Sequence, residues 1–141
     1  MMINISTLEL IHLIATSMMV SIIWIIQILH YPSFLFVDKK HYTKFQKFHM
    51  KNISNLIIPI MLLELLTGLS ILLKIKMINF YFFASFGLLI LIWLITALFF
   101  SKFHSELSNK YNRDTILKLI RLNWIRTFFW TVRLGFLLKQ F

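Results

Sequence analysis

Ionisable and amide side chains inside long apolar runs are costly to hold, so they mark where chemistry can occur. This chain of 141 residues carries them at helical spacing. On a wheel of 3.6 residues per turn, Glu9, His12, Thr16, Gln27 and His30 form one narrow stripe. Glu64, Thr67 and Gly68 share a second face, which His49 joins if its helix starts early. Asn123, Arg126, Trp130 and Arg133 share a third. Depth along each run, at about 1.5 Å per residue, sets Glu64 level with Arg126, and His12 and Glu9 level with Arg133. Gln27, His30, His49 and His104 gather at one boundary.

Three kinds of chemistry suit this seam. It can be glue, with Glu64 paired to Arg126 and Glu9 to Arg133. It can hold an amphipathic anion. Arg126 and Arg133 would then grip a carboxylate or phosphate with planar guanidinium forks, among Glu64, Asn123, Trp130 and Gln27, and Trp124 and the many Phe side chains would cover an apolar body. A lipid headgroup, a quinone or a porphyrin with propionates fits that description. Or His30, His49 and His104, from three different segments, can converge on a metal or haem iron. No His-x-x-x-His or His-x-x-Glu spacing supports this third reading. His12 is the candidate for proton transfer.

These residues must be positioned by helices in a lipid-facing chain. Hydrophobic residues make up 59% and charged residues 14%, and mean hydropathy is +0.79, far from a soluble domain. A bilayer core about 30 Å thick requires roughly 20 apolar residues as a helix. Four stretches qualify: residues 8–29, 53–73, 77–100 and 116–138. The fourth is interrupted by Arg121, Arg126 and Arg133, and an interfacial amphipathic helix is its rival. The runs are continuous rather than alternating, which excludes a β-barrel. The expected fold is one all-α transmembrane domain over residues 1–141, an antiparallel four-helix bundle. The third stretch, with only Ser85, Gly87 and Thr96 as small or polar residues, is expected to face lipid. The short connection Lys74–Lys76 makes the second and third stretches antiparallel neighbours. Phe34, Val37, His41, Phe45 and Phe48 indicate a short basic amphipathic helix beginning at Pro32, or an inward extension of the second span. Asp114 is the expected cap of the last helix.

Net charge is +10, from 15 Lys and Arg against 5 Asp and Glu. In so apolar a chain this places basic loops against anionic lipid and argues against nucleic acid. Lys39, Lys40, Lys44, Lys47 and Lys51, with Lys102, Lys110 and Arg113, mark one side as cytoplasmic. Both termini are then outside, in a bacterial inner membrane, and no cleavable leader is expected. The absence of Cys excludes disulfides and thiolate metal sites. No nucleophile elbow, phosphate loop or His-Glu-x-x-His motif is present, so hydrolase and NTPase chemistry drops out. The lipid bilayer, and a homo-oligomer or a membrane complex, are the expected partners.

Two resemblances follow. Trp24-x-x-Gln27-x-x-His30-Tyr31-Pro32-x-Phe34, Phe45-x-x-Phe48-His49, Pro59-x-Met61-x-x-Glu64 and Asn123-Trp124-Ile125-Arg126-Thr127-x-x-Trp130-Thr131-x-Arg133 resemble a family of small bacterial four-span membrane proteins of unknown function. The resemblance implies that the seam is a family signature and brings no activity with it. The chain's length, its early His12 and its ending Lys139-Gln140-Phe141 are similar to the HemJ-type protoporphyrinogen oxidases, which end in Lys-Pro-Phe. That likeness implies an oxidoreductase acting on a porphyrin or quinone, with haem or porphyrin as cofactor.

Overall fold

A computed structural model describes residues 6–74 and 79–140, which are almost entirely helical. Four long helices account for them: α1 (Thr7–Phe36), α2 (Tyr42–Lys74), α3 (Phe80–Asn109) and α4 (Arg113–Gln140). The first three are long and apolar enough to cross a membrane. The expected connection at 74–76 and the start of the third stretch at 77 fall on residues 75–78, outside the described residues.

The ends of the helices follow from local chemistry. Ser6 and Glu9 form a reciprocal capping box: Ser6 Oγ accepts from the Glu9 amide (3.3 Å) and the Glu9 carboxylate accepts from the Ser6 amide (2.9 Å). Asn79 caps α3 through the amides of Tyr81 and Phe82. For α4 the cap is Asn112, which accepts from the amides of Asp114 and Thr115 (3.0 and 3.2 Å), and not the expected Asp114. Asp114 lies inside the first turn, where it complements the helix dipole without capping it. Glu106 near the end of α3 accepts from Asn112 and Thr115, tying the two helices across their link.

No separate amphipathic helix forms between α1 and α2. The helix of α1 continues through Pro32 to Phe36, and α2 starts at Tyr42, so residues 42–52 are the inward extension of the second stretch. Pro32 lacks an amide hydrogen, and the ladder ahead of it is widened into a π turn at Ile26–His30, with the Tyr31 amide donating back to Ile26. A second π turn, Thr96–Phe100, interrupts α3.

α1 packs along both α2 and α4, and α3 packs along α4. The α3 face bearing Phe82, Ser85, Leu89 and Ile92 is buried. α3 is nevertheless the least buried of the three apolar helices, in line with the expectation that it faces lipid, and its outward side, including Gly87, stays open. α2 and α3 do not run side by side as expected. Among the described residues their backbones meet mainly along Ser101–Asn109 and stand apart over much of the rest.

The interior is layered. One apolar cluster holds Tyr31, Phe34, Tyr42 and Leu107, a middle one Met19, Ile23, Met61 and Trp130, and a third Ile71, Phe82 and Leu137. Between them lie two polar layers. Part of the low hydropathy of α4 comes from residues that point inward: Asn123, Arg126 and Arg133 are buried, while Lys118 and Arg121 are exposed, as are Trp124, Ile125 and Phe128.

Candidate functional site

The layer farther from the lysine-rich end is a closed ion pair. Arg133 Nη1 donates to Glu64 Oε1, both side chains being fully buried. Trp130 Nε1 donates to the other carboxylate oxygen at 3.3 Å. Arg133 Nη2 donates to His12 Nε2 (3.1 Å), which requires the lone pair there, so His12 carries its proton on Nδ1 and donates to Thr67 Oγ1 (2.8 Å). Thr67 in turn donates to the Leu63 carbonyl at 2.6 Å. Gly68 makes room for this arrangement: a Cβ there would stand 3.0 Å from the His12 ring and from Phe86. The layer neutralises one acid with one base and commits both nitrogens of His12.

The expected pairs Glu64–Arg126 and Glu9–Arg133 are therefore corrected to Glu64–Arg133, with Glu9 serving as a cap. The reason is geometric. Tyr42 meets Tyr111 edge-on at 5.0 Å, so α2 and α4 begin nearly level. Glu64 then lies about 33 Å along α2, Arg133 about 30 Å along α4 and Arg126 only about 20 Å. Measuring depth from the edges of the apolar runs omits the polar first turns of α2 and shifts the register.

The layer nearer the lysine-rich end is built around Arg126. Asn123 Nδ2 donates to Gln27 Oε1 (2.8 Å), Gln27 Nε2 donates to the Ile120 carbonyl (3.3 Å), and Arg126 Nη1 donates to Asn123 Oδ1 (3.2 Å). The guanidinium stacks over the Phe100 ring at 4.2 Å and faces Trp130 at 5.2 Å. Among the described residues no carboxylate meets it, and its Nε has no partner. Buried cations are ordinarily paired, because removing a charge from water costs several kcal/mol.

Arg126 lines a cavity of about 340 Å³ between α2 and α3, the space left where those helices diverge. Ile57, Met61 and Ala97 give it apolar walls, and its polar groups besides Arg126 include Tyr31, His104, Trp93 and the hydroxyls of Ser54, Thr96 and Ser101. Both π turns border this region, since Tyr31 follows one and Thr96 and Phe100 belong to the other.

The three boundary histidines do approach one another. His30 Nε2 and His49 Nδ1 are hydrogen-bonded at 2.7 Å, and the His49 and His104 rings are 5.6 Å apart. Both nitrogens of His104 are taken, by Tyr31 Oη (3.2 Å) and Gln46 Nε2 (2.9 Å). Among the described residues no three His, Asp or Glu side chains are placed to hold a metal ion. His30 and His49 border a smaller cavity of about 230 Å³.

Of the sequence-derived candidates, His12, Glu64, Trp130 and Arg133 form one group, and Gln27, Asn123 and Arg126 another. Wheel reasoning missed Tyr31 and Phe100, which meet Arg126, and Gln46, which bonds to His104. Tyr31 stood in a resemblance motif and Phe100 in an apolar run, where composition could not single them out. Comparison with known proteins finds no matching family model, curated relative or solved structure.

Proposed function

We propose that this chain is a four-span protein of the bacterial inner membrane that binds an amphipathic anion in the cleft between α2 and α3, with the acidic head on Arg126. The carrying observation is a buried guanidinium that meets no carboxylate among the described residues and lines an open, mostly apolar cavity. Such a site lacks its counter-charge until an anion arrives, and its volume falls in the range of small-molecule sites. A cavity between two helices that stand apart suits a ligand dissolved in lipid. Crossing of the membrane by α4 is supported by inward-turned Arg126 and Arg133 and outward-turned Trp124, Ile125 and Phe128. Orientation with the lysine-rich end in the cytoplasm rests on the exposed Lys44, Lys47, Lys51, Lys102 and Arg113.

The test is mass spectrometry of small molecules retained after purification in mild detergent, for the natural chain and for Arg126→Gln. An acidic amphiphile retained by the first and absent from the second supports the reading. Equal retention, or none in either, overturns it. The HemJ-like alternative has less support, because His12 is fully hydrogen-bonded and Arg133 is already neutralised. A Soret band on adding haem, lost in His12→Ala and kept in Arg126→Gln, would favour that alternative instead.

A further inference from the structure

Resting on the reading of Arg126 just given, we infer that the ligand carries a second, uncharged oxygen acceptor, and that Trp93 recognises it. The indole Nε1 of Trp93 is buried and has no hydrogen-bond partner, and Trp93 lines the same cavity as Arg126. A buried N–H without an acceptor is uncommon in native proteins and marks a place for a missing group. The hydroxyls of Thr96 and Ser101 on the same helix donate to the Ile92 and Ala97 carbonyls, and neither accepts from the indole. Arg126 Nε and Trp93 Nε1, both enclosed and both without a partner, are donors. The complementary ligand therefore presents acceptors at two places.

Their separation follows from α3. The Arg126 guanidinium stands over Phe100 at 4.2 Å. Trp93 lies two turns earlier on the same helix, so the second acceptor is on the order of 10 Å from the acid. The walls between are mostly apolar, with Ile57 and Met61 opposite. The site thus selects an elongated single-chain acid bearing a carbonyl, ester or hydroxyl oxygen near the middle of its body. A plain hydrocarbon tail would leave the indole unsatisfied.

The probes are palmitic acid and its mid-chain keto derivative, titrated into the purified full chain and followed by native mass spectrometry. The natural chain should bind the keto acid about five- to tenfold more tightly than palmitic acid, the effect of one added hydrogen bond in a dry site. Trp93→Phe should bind both acids equally, near the natural affinity for palmitic acid, and Arg126→Gln should bind neither well. No preference in the natural chain, or a preference that survives in Trp93→Phe, overturns this inference while leaving the Arg126 reading intact. Undiminished binding of both acids to Arg126→Gln, or no binding to the natural chain, overturns both.

Discussion

Replacing Arg133 by Met removes the cation of a pair in which both side chains are fully buried. The Glu64 carboxylate would keep one donor, Trp130 Nε1 at 3.3 Å, and His12 Nε2 would lose the donor at 3.1 Å. Breaking a buried pair from one side costs about 3–5 kcal/mol, because the remaining charge has neither water nor counter-ion. Removing both charges in Glu64→Gln with Arg133→Met should recover most of that, leaving a coupling of about 2–4 kcal/mol. Glu64→Gln combined with Arg126→Met should instead couple by less than about 1 kcal/mol, since the two positions differ by about 13 Å along the helices and are linked only through Trp130, which touches both. The assay is equilibrium unfolding in mixed micelles, followed by tryptophan fluorescence, for the singles and both doubles. Strong coupling of Glu64 to Arg126, with additivity between Glu64 and Arg133, would refute the register assigned to α2 and α4.

Other consequences are open to the same measurement. Gly68→Ala should cost about 1–3 kcal/mol by pressing on His12 and Phe86, and His12→Ala in the same chain should relieve part of it. Asn123→Leu removes the acceptor of Arg126 and the donor to Gln27 and should cost about 1–3 kcal/mol. Arg126→Met, by contrast, should change stability by less than about 1 kcal/mol in ligand-free micelles, because an unpaired buried charge is itself unfavourable. Asn112→Ala should cost about 1 kcal/mol as a lost cap, and Asp114→Ala distinctly less.

The four long helices and the inward faces of α1, α2 and α4 were legible in the residues, because apolar length and a helical repeat are local properties. Partners across the interior were harder. Aligning the apolar runs by their edges pairs Glu64 with Arg126, whereas α2 begins at Tyr42 with polar turns that hydropathy does not register. The cap at Asn112 was missed because Asp114 is the stronger acceptor by type, and only backbone geometry shows which side chain reaches the free amides. The cleft could not be read at all. It arises where α2 and α3 diverge beside two π turns, and such turns depend on how neighbouring helices pack. The histidines illustrate both sides: their gathering at one level was visible, but the commitment of His104 to Tyr31 and Gln46 was not.

The central claim is that Arg126 holds an anionic head inside the membrane. Electron paramagnetic resonance of a spin-labelled fatty acid in vesicles tests it most directly. The natural chain should give a motionally restricted component that unlabelled palmitic acid displaces, and Arg126→Gln should reduce that component at least tenfold. A restricted component of equal size in both proteins, or none in the natural chain, would contradict the account.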